Sequence, residues 1–341
     1  MKIAIHHRPG SFSDRWIEYC VKEGIDYIIV DAYDSNIVSI VSDCDVFMWH
    51  HHQSDYRDVL FARQLIYSLE MKGIKCFPNF YTTWHFDDKV GQKYLFESLG
   101  VQLVPSYVYY TKEAALAWLE TTDFPKVFKL RGGASAVNVK LAKSKAEAKK
   151  LINIAFNKGF QQLTLTTIIN EGLRKRRAGK KSLLSILKDV AAYYLKRNTF
   201  RKMHAPEVGY VYFQDYIPNN MFDIRVIVIG NKAFAIKRMV RENDFRASGS
   251  GNIIYNPKEI PLDCISLSFD ISKKMQSQSI ALDYVLDASA NPLVVEVSYG
   301  YAVHAYDSCP GYWTDDMKWH EGSFIPQEWM VQDIVKSVRE K

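Results

Sequence analysis

The 341-residue chain is poor in paired or patterned cysteine. Its five cysteines, Cys20, Cys44, Cys76, Cys264 and Cys309, are scattered, odd in number and include no CxxC pair. That argues against a disulfide framework or a cysteine-built zinc site and for a reducing cytoplasm. No apolar run approaches the roughly 20 residues that a membrane-crossing helix needs. The N-terminus, "MKIAIHHRPG", reads as a short strand and a polar loop and lacks the apolar stretch of a signal peptide. There is no internal repeat and no low-complexity tract.

What remains is the composition of a soluble globular protein, 48% hydrophobic and 24% charged. The length suits two or three domains. The formal charge of +6 is uneven. Between Glu171 and Ala205 stand eleven Lys or Arg against two acids, a local +9, which leaves −3 on the rest. A solvated helix face, an anionic substrate and an anionic membrane surface all fit such a segment. Nucleic acid fits poorly, because few stacking aromatics, Tyr193 and Tyr194 with Phe200, lie among the basic residues.

Residues 1–82 alternate strand and helix patterns with short loops, which predicts a small parallel sheet. Its carboxyl strand ends, where ligands gather in such sheets, hold His6, His7 and His50 to His52. Three consecutive histidines on a strand point to alternate faces and do not converge on one ion, so a loop lining a cleft is expected. A linker helix follows, then "FPKVFKLRGGASAVNVKLA" as strand, glycine turn and strand, then a helix. Within the basic insertion, about 160–205, Leu183, Leu187, Val190 and Tyr194 share one helical face beside Leu184, Ala191 and Leu195, which predicts a packed helix. A membrane-surface helix over 174–202 is the competing reading. From residue 209 the pattern is antiparallel strands, closed by a helix in "PQEWMVQDIVKSVREK".

The segment "NPLVVEVSYGY" sets Glu296 among Leu293, Val294, Val295 and Val297. A lone carboxylate in an apolar strand is costly unless paired. A hairpin turning between Ser289 and Ala290 puts Asp283 opposite Glu296, and two facing carboxylates repel. A hard divalent cation resolves the conflict and leaves positions for phosphate. An arginine partner, or protonation of one acid, is the alternative. Lys129 stands just before Gly132-Gly133, whose backbone N–H groups can approach phosphate. Lys237, Arg238, Arg241 and Arg246 form a cationic run.

The ordered pieces "DK…FKLRGG…QDYI…DIR…IKR…DFR…LD…EVS" resemble the ATP-grasp superfamily, most closely the branch of the ribosomal-protein glutamate ligases, over nearly the whole chain. The resemblance implies an α/β (α+β) fold: an N-terminal Rossmann-like domain (1–82), a linker helix and flap lobe (83–213), and a C-terminal lobe with the metal site (214–341), the last two sandwiching ATP. It implies that Lys89 and Lys129 contact nucleotide phosphates beneath a flap of Arg131, Gly132, Gly133 and Ser135. Gln214, Asp215, Tyr216 and Ile217 would receive adenine, and Asp223 the ribose. Arg225 and Lys237 would project toward the phosphates, with Arg246 near the transferred phosphoryl group. Asp283 and Glu296 would hold Mg²⁺, or Mn²⁺ in its place. Ser298 stands where most members carry a metal-binding Asn, and a hydroxyl is the poorer donor. Ala281 replaces an arginine that D-alanine–D-alanine ligases carry, which argues against that activity.

The implied activity is an ATP-dependent carboxylate–amine ligase acting through an acyl phosphate. Substrates would meet His6, His51, Arg246, Ser248, Tyr299, Tyr301 and the segment "SYGYAVHAYDSCPGYW". The basic insertion suggests an acidic substrate, such as a uronic acid of a cell-surface glycan precursor joined to an amino acid, or else a peptide. A kinase of the same superfamily and a nucleotide-binding module without turnover are the alternatives. A homo-oligomer is compatible with the resemblance.

Overall fold

The computed structural model describes the chain except residues 134–138, 162–164, 166–167, 170–171, 174–175, 177–180, 204, 242–243, 248 and 341, and only the backbone of residues 196–203. It divides into two compact units, Met1–Val104 with Ile217–Lys341, and Pro105–Tyr216.

The first unit opens with the expected alternation: β1 (Lys2–His6), α1 (Phe12–Glu23), β2 (Asp26–Val30), α2 (Ile37–Ile40), β3 (Val46–Trp49), α3 (Tyr56–Met71), β4 (Lys75–Phe77), α4 (Phe80–Thr83) and α5 (Lys89–Ser98). Local chemistry sets the boundaries. Ser11 and Asp55 cap α1 and α3 through their side chains, and Gly24 ends α1 at φ 62°. The four strands form a parallel sheet in the order β2-β1-β3-β4. The chain therefore switches direction between β1 and β3, and His6 and His50 stand at those strand ends.

The second unit contains β5 (Ser106–Tyr109), α6 (Lys112–Trp118), β6 (Lys126–Lys129), β7 (Lys140–Ala142), α7 (Lys145–Ala155), α8 (Leu183–Met203) and β8 (Val211–Asp215). Its antiparallel sheet runs β5-β8-β6-β7. Phe128 and Phe213 pack with Ala115, Leu119, Ala148 and Ile152 of α6 and α7.

Returning to the first unit, β9 (Phe222–Ile229), β10 (Lys232–Met239), β11 (Ile253–Ile254), α9 (Leu262–Lys274), β12 (Ser279–Leu286), β13 (Pro292–Ser298), β14 (Gly311–Thr314), β15 (Trp319–Glu321) and α10 (Pro326–Arg339) follow. They build a seven-stranded sheet, β13-β12-β9-β10-β14-β15 with β11 on β10. One face, with Ile227, Ile229, Phe234 and Ile236, shares a core with β1, β3 and α10. The other, with Val226, Val228, Leu282 and Val294, is covered by α9. Helix α9 has no counterpart in the sequence expectations. Its stripe of Cys264, Ile265, Ser268 and Ile271 at helical spacing would have marked it.

The β12–β13 hairpin pairs Asp283 with Glu296, as expected, but by a different count. Leu286 pairs with Pro292, Val285 with Leu293 and Tyr284 with Val294, and the register then shifts so that Asp283 meets Glu296. Val295 is the extra residue of a β-bulge.

Helix α8 departs from the packed helix expected. Ile186 is buried, but Leu184 is 72%, Leu187 62% and Leu195 85% exposed, with Leu183 and Tyr194 also open. Among the described residues no helix is long and apolar enough to cross a membrane.

Candidate functional site

In the first unit the sheet brings charged residues of four strands onto one face. Across the ladder, Glu296 pairs with Asp283, Asp283 with Arg225, and Asp223 with Arg238. Cross-strand partners share a face. Arg225 donates from Nε and Nη2 to the two Asp283 oxygens at 2.5 and 2.7 Å. Arg238 donates from Nε and Nη2 to Asp223 at 2.6 Å each, and its Nη2 is 2.9 Å from Asp283 Oδ2. Lys89, at the start of α5, sets its Nζ 3.7 Å from Glu296. Three carboxylates thus face three cations. Asp283 and Arg238 are only 4% and 7% exposed.

Such burial would by itself raise a carboxyl pKa. At Asp283 burial pushes up, but the two guanidiniums outweigh it and hold the group below the usual carboxylate range. At Asp223 burial dominates over Arg238 and pushes the group up. Asp283 therefore has the arginine partners that were the alternative to a cation for the Asp283–Glu296 conflict.

Asp283 and Glu296 are hard oxygen donors on adjacent strands, a set that suits Mg²⁺. Among the described residues no group of three or more His, Cys, Asp or Glu side chains is arranged to hold a metal. Further oxygens would have to come from a ligand or water. Ser298 is engaged locally: its Oγ donates to the Gly300 carbonyl at 2.8 Å and accepts from the Gly300 N–H at 3.2 Å.

Lys237 does not join this face. Alternation turns it to the side covered by α9, where its Nζ meets Glu259 at 2.7 Å and lies 4.1 Å from the Phe222 ring centroid. Arg238 takes the position expected of Lys237. Counting outward from the Gly230-Asn231 turn pairs Asp223 with residue 238, so the sequence held that signal. Arg246 is paired within its own loop, donating to Asp244 at 2.6 to 2.9 Å.

The expected substrate residues of the first unit are mostly enclosed. His6, His51, Tyr299 and Tyr301 are buried. His51 packs against Trp49, Phe86 and Tyr299, and the Tyr299 hydroxyl donates to the His51 carbonyl. Tyr301 and Tyr306 pack on Phe234 in the core. These side chains build the strand ends and offer little open wall to a substrate. Ser248 and Ser135 lie outside the described residues.

In the second unit, Lys129 and Gln214 share a sheet face, and Lys129 Nζ donates to Gln214 Oε1 at 2.6 Å. Gln214 Nε2 and the Tyr212 hydroxyl both bond Ser106 Oγ, at 3.0 and 2.9 Å. Lys126, on the alternate face, holds Asp215 at 2.6 Å. The Arg131 N–H bonds the Tyr210 hydroxyl at 2.6 Å and Glu207 at 3.0 Å, ahead of Gly132 and Gly133. Gly133 takes φ 107°, a conformation that favours glycine. Tyr216 ends this unit and Ile217 begins the next segment of the other.

Residues 190–307 match the RimK-like ATP-grasp domain. Solved structures agree on the fold. A RimK domain protein ATP-grasp from Sphaerobacter thermophilus aligns over 98% of this chain and 100% of its own, with a TM-score of 0.57 and 13% identity. D-alanine–D-alanine ligase from Bacillus anthracis aligns over 100% and 99%, at 0.56 and 15%. N5-carboxyaminoimidazole ribonucleotide synthetase from Thermotoga maritima aligns over 98% and 75%, at 0.61 and 13%. No curated protein matches the chain by sequence. The expected ATP-grasp fold is thus the observed one. The matched domain spans 118 of the 341 residues, and the solved structures, at 13 to 15% identity, show the fold.

Proposed function

We propose that the chain is a carboxylate–amine ligase that activates its carboxylate as an acyl phosphate. The observation that carries this reading is the buried Asp223–Arg238–Asp283–Arg225 cluster beside Glu296. Enclosed ionic groups are costly and tend to mark functional sites. A substrate carboxylate oxygen would attack the γ-phosphorus as the bond to the β-phosphate oxygen breaks and ADP leaves. An amine would then attack the acyl carbon and expel phosphate, leaving an amide. Attack of one anion on another needs neutralising charge already in place. Arg225, Arg238, Arg246 and Lys89 in one unit and Lys129 in the other are the cations suited to this task. Asp283 and Glu296 are the residues that would hold Mg²⁺, which would supply charge neutralisation on the phosphoryl oxygens. Gln214 to Ile217 and Asp223 are proposed to receive the nucleoside.

The carboxylate is proposed to be acidic and glycan-borne, a uronic acid of a cell-surface precursor, with a peptide tail as the nearest competitor. The basic segment supports this, and so do the open leucines of α8, which suit contact with an anionic lipid surface. Five free, buried cysteines support a cytoplasmic setting.

The test is incubation with Mg-ATP, hydroxylamine and a panel of amino acids, uronic acids and acidic peptides, measuring ADP and hydroxamate. Hydroxamate with ADP is the expected outcome and identifies the carboxylate. ADP that rises with a panel compound without hydroxamate would replace the ligase by a kinase. Lys129→Ala should abolish nucleotide binding or turnover, and unchanged activity would refute the nucleotide assignment.

A further inference from the structure

We infer that Arg238, together with Arg225, makes the carboxylate pair refuse a free divalent cation and accept one only in company with a polyphosphate. The inference rests on the nucleotide-site reading and assigns Arg238 a positioning role within it.

Both oxygens of Asp283 already accept hydrogen bonds from Arg225, and Oδ2 has Arg238 as a second cationic neighbour at 2.9 Å. Arg238 also closes a two-bond fork on Asp223. Planar fork-on-carboxylate pairs are among the strongest charged contacts in proteins. Three of the roughly four acceptor sites of Asp283 are thus taken, and a metal ion bound through more than the remaining Oδ1 site must displace a guanidinium.

Charge balance decides whether that displacement succeeds. Asp223, Asp283 and Glu296 are matched by Arg225, Arg238 and Lys89, so the enclosed set is formally neutral. A bare divalent ion would add two positive charges to a neutral set centred on the buried Asp283 and would draw that acid away from buried arginines. Stranding one member of a buried ion pair is strongly unfavourable. A triphosphate removes both objections. Its oxygens can take over the guanidiniums while the accompanying metal takes the carboxylates, so every charge leaves one partner for another. The pairing is thus a lock that the metal–nucleotide complex opens.

Sheet geometry makes this specific to Arg238 over its neighbour. Lys237 faces α9 and touches none of these acids. Arg238 alone among the described residues contacts both Asp223 and Asp283.

The test uses Mn²⁺ as probe, followed by electron paramagnetic resonance and equilibrium dialysis, with and without a non-hydrolysable ATP analogue. The wild-type chain should bind Mn²⁺ with the analogue and show no site for Mn²⁺ alone at millimolar concentration. Arg238→Gln should bind free Mn²⁺ roughly tenfold or more tightly than wild type, since a competing buried cation is gone. Arg225→Gln serves as a second variant if Arg238→Gln does not fold, with the same expectation, and Lys237→Gln should leave free Mn²⁺ binding as in wild type. Equal Mn²⁺ affinity with and without the analogue in the wild type would overturn the lock and leave the nucleotide site standing. The lock also fails if folded Arg238→Gln and Arg225→Gln both still refuse free Mn²⁺. Absence of Mn²⁺ binding even with the analogue would overturn the nucleotide-site reading and the lock with it.

Discussion

Lys237 and Arg238 are adjacent on one strand and lead different lives. Lys237 reaches Glu259, a carboxylate with 44% of its side chain exposed, and lies over Phe222. Arg238 is enclosed between two acids, of which Asp223 would lose its fork partner without it while Asp283 would keep Arg225. The comparison teaches that in a sheet the role of a charge follows from the parity of its position before its chemistry. A surface pair adds little, whereas a buried one cannot be broken cheaply.

The sharpest way to break that comparison is to truncate both. Arg238→Ala should destabilise the fold by about 3–5 kcal/mol, because Asp223 and Asp283 lose a shared buried partner. Lys237→Ala should cost about 1 kcal/mol or less. Denaturant unfolding of the two variants reads the difference, and equal losses would mean that the enclosure of Arg238 has no energetic consequence.

The effect of enclosure extends to histidines. Burial, with Arg63 nearby, pulls His51 down to about 3 and His85 down to about 4. A folded-state pKa below the unfolded one means that the unfolded chain takes up protons first as pH falls. The stabilisation is therefore complete above about pH 6.5 and is lost progressively toward pH 4 and below. At pH 5 each buried histidine should remove about 2 kcal/mol relative to neutral pH. Urea midpoints at pH 7.5 and 5 measure this. His85→Asn should flatten the difference.

The smallest stability effect belongs to α8. Leu184→Glu with Leu187→Glu should change stability by no more than about 0.5 kcal/mol, since both side chains are open. The same double variant tests the proposed lipid contact: the wild-type chain should co-sediment with phosphatidylglycerol vesicles and not with purely zwitterionic ones, and the variant with neither. Undiminished sedimentation would assign the effect to the basic residues alone.

Much of the fold was legible because period and turn chemistry agree locally. The parallel sheet, the β9–β10 hairpin about Gly230-Asn231 and the closing helix all follow from them. What escaped was decided by tertiary context. The stripe of leucines on α8 has the spacing of a packed face, yet no neighbour among the described residues covers it. Tyr299, Tyr301 and Tyr306 sit in a polar-looking segment but pack into the core. At the site, Asp283 and Glu296 were legible from a carboxylate stranded among valines. Arg238 was passed over for Lys237 because a motif lists neighbours in a line, while the sheet sorts them by side.

The bulge at Val295 is a phase shift of one in a structure that counts in twos. Val294 and Val297, three apart, both face α9, which uninterrupted alternation forbids. Were Val295 deleted, Val294 and Val297 would stand two apart with Glu296 between them, and plain alternation would keep both valines toward α9 and Glu296 on the opposite face. What such a deletion takes away is the local bend and added twist that the extra residue gives the strand next to Glu296. The bulge therefore serves the aim of a carboxylate more than the pairing of a strand.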